Sequence, residues 1–223
     1  MRRSAPTAED AATHDFFARA RSRLGLDIPP GLTDPSIIPR RGDHETDPVM
    51  ETMAKIRPIR PAAVLVPVVD HAAPTVLFTV RTTHLPDHAG QIAFPGGKIE
   101  AEDDSPLGAA LREAHEEIGL EAQAVEPIGY LDLYMTALGY RIVPTIARVA
   151  PGFRLTLNPS EVDEVFEVPL AFLMEEANHQ RHSREWKGMM RTVYAMPFGE
   201  RYIWGVTAGI LRNLYERIYG DLR

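Results

Sequence analysis

The chain has 223 residues, 44% apolar and 25% charged, with a net charge of −7 and no cysteine. That length suits one sizeable domain with its own core. The acidic balance leaves no electrostatic footprint for nucleic acid, and the lack of thiols excludes disulfides, thiolate metal centres and cysteine nucleophiles.

No run approaches the ~20 apolar residues that cross a bilayer, so no membrane association is expected. Met1-Arg2-Arg3-Ser4 is followed by Glu9, Asp10 and Asp15 instead of an apolar core, so neither a secretory signal nor a transit peptide is read, and the expected location is cytoplasmic. Ala8 to Leu24 has the spacing of an amphipathic helix with Phe16, Phe17, Ala20 and Leu24 on one side. Such a helix packs on the main domain or on a partner subunit, which leaves a homodimer open. Pro29 to Pro48 is rich in proline and charge and reads as a linker or a loop draped over the surface. The chain therefore divides into residues 1–59, a helix and proline-rich linker, and residues 60–223, the domain proper.

Ala62 to Val69 and Thr75 to Arg81 are rich in β-branched residues around the turn-like Asp70 to Pro74 and read as paired strands. A helix over Pro106 to Ile118 is bounded by Ser105 at its N-cap and Gly119 at its C-terminal cap. Val125 to Tyr134 and Tyr140 to Val149 read as two further strands. Leu170 to Ala177 is a short helix, His179 to Trp186 and Met190 to Phe198 form a hairpin across Lys187-Gly188, and Thr207 to Tyr219 is a closing helix.

Chemistry concentrates on the helix after Phe94-Pro95-Gly96-Gly97-Lys98. Leu107, Ala110, Leu111, Ala114 and Ile118 make its apolar stripe, which places Arg112, Glu113, Glu116 and Glu117 together on the remaining arc. Like charges three and four residues apart repel by about 0.2–0.5 kcal/mol per pair. Two of these acids also sit in the last turn, where the helix dipole is already negative. A bound hard cation removes the conflict, because carboxylate oxygens are natural ligands of magnesium (Mg2+) or manganese (Mn2+).

Arg112 to Leu120 resembles the R-E-U-x-E-E-x-G-U end of the Nudix hydrolase signature, U being a bulky aliphatic residue, with Ala114 as a smaller first U. The front half of that signature carries a glutamate after the glycine. Here the acid is Asp103 or Asp104, according to where the one extra loop residue is counted. Leu77-Phe78-Thr79-Val80-Arg81-Thr82, then Gly90 and Phe94-Pro95-Gly96-Gly97, are similar to the upstream pattern of the coenzyme A diphosphatase subgroup, with Pro86 where that subgroup has a second arginine. Tyr202 to Ala208 also resembles a segment of the subgroup.

The resemblance implies an α/β fold, the Nudix-type α/β/α sandwich with a mixed central β-sheet. It further implies Glu113, Glu116 and Glu117 as metal ligands with the carbonyl of Gly97 beside them, and Arg112 as the residue that orients a glutamate. The general base is Glu116 on the helix, or Glu161 or Glu164 from the later loop. Arg81, His88 and Phe94 are the expected substrate-facing residues, and His84 is weighed as a packed or surface histidine. The expected partner is a small-molecule nucleotide substrate, foremost coenzyme A or an acyl derivative. The alternatives are ADP-ribose or a dinucleotide, or a Nudix fold that senses a ligand without turnover.

Overall fold

A computed structural model describes residues 8–84, 89–186 and 188–220. In chain order the strands are β1 (Arg41–Gly42), β2 (Arg60–Val69), β3 (Thr75–Arg81), β4 (Ile92–Ala93), β5 (Gly96–Lys98), β6 (Val125–Tyr130), β7 (Tyr134–Met135), β8 (Tyr140–Val149), β9 (Val162–Pro169), β10 (Gln180–Trp186), β11 (Met189–Phe198) and β12 (Arg201–Trp204). The helices are α1 (Ala8–Arg23), α2 (Val49–Lys55), α3 (Pro106–Ile118), α4 (Leu170–Leu173) and α5 (Val206–Tyr219). Among the described residues no helix is long and apolar enough to cross a membrane.

The main sheet is mixed. Its central path runs β1-β7-β8-β2-β3-β4, and β5, β6 and β9 pair with β2, β8 and β3 respectively. β2 and β8 are parallel over their whole length, from Arg60↔Tyr140 to Val69↔Val149. Side chains alternate between two cores, as a sheet buried on both faces requires. Ala62, Val66 and Val68 join α5 residues Ile210, Leu211 and Leu214 on one side, whereas Ala63, Leu65 and Val69 join Ala110, Ala114 and Ile118 of α3 on the other. This is the expected α/β/α sandwich. The three-stranded sheet β10-β11-β12 is separate.

α1, like most helices in proteins, draws its stability chiefly from packing. Its place is set by Phe16, Phe17 and Ala20, all buried in the core cluster that includes α5. The segment read as linker or draped loop lies against the body. β1 pairs with β7, and Asp43 accepts hydrogen bonds from the Tyr134 hydroxyl (3.2 Å) and the Ala137 N–H (2.9 Å). The strand expected to run on to Tyr134 ends at Tyr130, where the pairing of β6 with β8 has already shifted register near Pro127. The helix expected over 170–177 is shorter, with a 3-10 turn at Glu176–Asn178 following α4. The hairpin β10–β11 turns at Gly188 as read.

β2 pairs with β3 only at its far end, Val68↔Val76 and Val69↔Thr75. Its near half is free to take up β5 instead, through Ala62↔Lys98, Ala63↔Gly97 and Val64↔Gly96. That switch carries the glycine turn into the sheet directly beneath α3.

Candidate active site

Close approach requires glycine at Gly96 and ties Gly97 to the placement of Glu113. Gly96 has φ +153°, and a Cβ there would overlap the carbonyl oxygen of Ala63. A Cβ on Gly97 would overlap the carboxylate of Glu113. Pro95 and Ile99 fix the turn at its two ends, through Leu65 N–H to Pro95 O (2.8 Å) and Ile99 N–H to Pro61 O (3.1 Å).

α3 begins as read, with Ser105 Oγ accepting from Gly108 N–H (3.0 Å), and ends at Gly119 in the left-handed region, φ +67°. Its acids share the arc opposite the apolar stripe but differ in burial. Glu117 is 3% exposed, Glu113 has a sheltered side chain and Glu116 is about half exposed. Glu117 turns under the helix onto the glycine turn, where its carboxylate accepts from Gly96 N–H at 3.3 Å.

Arg112 locks the arrangement. Its Nε and Nη2 donate to the two oxygens of Asp103, each at 3.0 Å, Nη1 reaches Glu113 (3.2 Å) and Glu116 (3.0 Å), and Nη2 also donates to the Lys98 carbonyl (3.2 Å). Asp103 is thus the loop acid that pairs with the arginine; Asp104 is exposed. The fork-to-fork pairing holds the Asp103 carboxyl below its ordinary pKa, chiefly through the Arg112 hydrogen bonds.

The two inner glutamates are shifted the other way. Burial pushes the Glu117 carboxyl up to about 8; Gly96 N–H and Arg81 offset part of that, and the nearby charges of Glu113 and Glu161 add to it. Burial likewise raises Glu113, and Arg112 counteracts it more than Glu116 and Glu161 reinforce it. Arg81 approaches Glu117 only to 3.8 Å, and its buried Nε has no hydrogen-bond partner among the described residues.

Glu161 is brought to the same place by the loop after β8. Asn158 N–H donates to the carbonyl of Glu117 (2.9 Å), and Asn158 Nδ2 donates to the Glu161 carboxylate (3.0 Å). The Glu161 carbonyl accepts from Thr82 N–H, just beyond β3 (3.0 Å). The loop thus ties Glu161 to the C-terminal end of α3.

Two expected site residues lie elsewhere. Glu164 is held by Arg201 in a two-point pair of 2.7 and 2.5 Å, and that guanidinium also covers Phe166 at 4.5 Å, within the core that contains α5 instead of the one beneath α3. Phe94 is buried and stacks on Phe78 at 5.0 Å, which in turn stacks on Phe166 at 5.6 Å, so it anchors the turn from below and presents no ring to a ligand. His84 is exposed, and His88 and Pro86 lie outside the described residues.

Among the described residues no three acid or histidine side chains converge as a preformed metal cage, since Arg112 draws Glu113 and Glu116 toward itself. The donor set nevertheless suits a hard dication. Glu113 and Glu117 are sheltered carboxylates whose raised proton affinity shows that their charge lacks full compensation from the protein, and oxygen ligands of that kind are what magnesium or manganese takes.

Among solved structures, a NUDIX hydrolase from Alicyclobacillus acidocaldarius aligns with a TM-score of 0.44 at 18% identity, over 72% of this chain and 92% of that one. Residues 59–187 match the NUDIX domain family. A protein of Escherichia coli O7:K1 named as an uncharacterized Nudix hydrolase, NudL, is 39% identical over 159 residues, which span 71% of this chain and 83% of that one. The protein of the same name in Shigella boydii serotype 4 is also 39% identical over 159 residues. The chain belongs to the Nudix family. It is accordingly a hydrolase of phosphoanhydride bonds in nucleoside diphosphate-linked substrates, and its family typically works with a divalent metal.

Proposed function

We propose that the chain hydrolyses coenzyme A or acyl-coenzyme A, with magnesium or manganese, to adenosine 3′,5′-bisphosphate and (acyl-)4′-phosphopantetheine. The metal assignment rests on one observation above all: two sheltered glutamates, Glu113 and Glu117, meet at a glycine turn that leaves no room for a side chain. In this reading they hold the ion with the Gly97 carbonyl and with Glu116, and the ion supplies positive charge to the diphosphate oxygens.

The protein's own groups do the rest. Arg112 and Asp103 fix where the glutamates point. Arg81, with a buried donor to spare beside Glu117, is the substrate-phosphate contact. Glu161 is the general base that takes the proton from the attacking water. Glu164 is set aside for that role, because Arg201 occupies both of its oxygens.

Glu161→Gln is therefore expected to lower kcat by about 10²–10⁴-fold, the usual range for a general base, with Glu164→Gln close to wild type when both are assayed at saturating metal. The reverse order would remove Glu161 from the role. Gly97→Ala is expected to cost about a hundredfold in turnover, because its methyl displaces Glu113 and small misplacements of catalytic groups carry penalties of that size. Wild-type turnover in that variant would refute the close packing argued for the turn.

The substrate proposal rests on Leu77 to Gly97, where the subgroup pattern is retained at Arg81 and at the glycine turn. Pro86 in place of the second arginine favours a second reading, ADP-ribose or a dinucleotide. Turnover of coenzyme A, ADP-ribose and a dinucleotide in labelled water, with products identified by mass, separates them. Coenzyme A is expected to be cleaved best, and a marked preference for ADP-ribose would overturn the choice.

A further inference from the structure

Arg141, on β8, is 5% exposed. Its guanidinium donates to the backbone carbonyls of Gly31 and Asp34, and among the described residues it has no ion-pair partner. The acid nearest in the chain's fold, Asp34, turns its carboxylate to the N–H and hydroxyl of Ser36 at 2.8 and 2.7 Å. Burial depresses the pKa of this guanidinium, and the charge of Asp34 offsets only part of that, so a buried cation here is short of counter-charge.

Arg141 opens onto a cavity of about 70 Å³ that is also lined by Lys55, Arg57, Ile38, Ile59 and Met135. Among the described residues no acidic side chain lines it. Lys55 has its own partner in Glu51 at 2.5 Å; Arg57, like Arg141, has none among the described residues. Three basic residues therefore line one small space in a chain whose net charge is −7. At about 70 Å³ the space is small.

We propose that this cavity is an accessory binding site for a small oxyanion, a carboxylate or a phosphate group. Arg141 is its floor and Arg57 and Lys55 are its rim, because a guanidinium fork matches either oxyanion in two-point geometry. Ile38 and Ile59 give the cavity an apolar side, so an alkyl carboxylate binds more tightly than acetate. A bound anion joins three separate pieces of chain: the 31–38 loop, the end of α2 and the start of β8. The site shares no residue with α3 or the glycine turn, so it stands independently of the diphosphatase reading.

The test is an NMR titration of the metal-free, full-length ¹⁵N-labelled protein at constant ionic strength. The Arg141 Nε–Hε signal is followed as inorganic phosphate, hexanoate, acetate or, as a control, chloride is added. Saturable shifts are expected with phosphate or with hexanoate and not with chloride, and whichever of the two saturates at lower concentration identifies the head group preferred. A variant carrying both Lys55→Gln and Arg57→Gln, positions exposed enough to leave the fold intact, is expected to bind about tenfold more weakly or worse, since charge-assisted hydrogen bonds are lost. Absence of a saturable shift with either oxyanion, or equal affinity in wild type and the double variant, would overturn the site.

Discussion

Glu117→Gln is expected to abolish nearly all turnover while making the metal-free protein more stable at alkaline pH. The first effect follows from the ligand role. A metal's stabilisation of developing charge amounts to several kcal/mol, and each 1.4 kcal/mol is tenfold in rate, so a loss of about a thousandfold or more is expected. The second follows from burial. The Glu117 carboxyl is 3% exposed and its pKa is pushed up to about 8. In the folded state the neutral form is favoured, so the group's contribution to stability is fully present below the ordinary carboxylate pKa and is lost as pH rises through about 8. The variant's amide oxygen keeps the bond from Gly96 N–H and never ionises. Thermal unfolding without metal is therefore expected to favour Glu117→Gln increasingly from pH 6 to pH 9, on the order of a few kcal/mol at the alkaline end.

The same titration governs metal binding. A carboxylate must lose its proton to ligate, so magnesium affinity is expected to rise with pH up to about 8 and to flatten above it. A glutamine variant with wild-type turnover, or one less stable than wild type at pH 9, would contradict the account of this residue.

Arg112→Lys is expected to cost about a hundredfold in kcat despite keeping the charge. The guanidinium spans Asp103, Glu113, Glu116 and the Lys98 carbonyl at once. An ammonium on a flexible stem cannot reproduce that fork, and glutamates released by about an ångström no longer present their oxygens correctly. Because Arg112 acts through other residues, the loss should fall mainly on kcat, with a smaller effect on KM. Asp103→Asn is expected to reproduce part of it, and Asp104→Asn, at an exposed position, almost none. Steady-state kinetics of the three variants check this ordering. Equal losses in the two asparagine variants would show that Asp103 has no special relation to Arg112.

What could be read from the sequence was what short-range rules govern. The caps of α3 at Ser105 and Gly119, the apolar stripe through Ala110, Ala114 and Ile118, and the hairpin turn at Gly188 all follow from neighbours within a few positions. The acid set on α3 was legible for a similar reason: its mutual repulsion is a local fact about one helix. What escaped depends on distant strands. A helical wheel places Glu117 with Glu113 and Glu116; only the switch of β2 from β3 to β5 brings Gly96 beneath Glu117 and buries it. The choice between Asp103 and Asp104 is settled by a loop that folds back onto Arg112, where Glu100 N–H is held by Asp103 at 2.8 Å. Glu161 and Glu164 are three positions apart and equally acidic in the sequence. The Asn158 turn fastens the first to the end of α3, and Arg201, far along the chain, engages the second on the opposite face. The resemblance makes Phe94 a substrate-facing residue, but its place is fixed by Phe78 on the neighbouring strand.

The most direct measurement is the position of manganese in crystals of the intact protein grown at pH 8, located by its anomalous scattering. A peak bound by carboxylate oxygens of Glu113 and Glu117 beside the Gly97 carbonyl is expected, at about 2.0–2.6 Å as hard cations take oxygen ligands, and it should be lost in Glu117→Gln. A manganese peak elsewhere on the protein, with Glu113 and Glu117 making no contact to it, would contradict the claim on which the proposed chemistry depends.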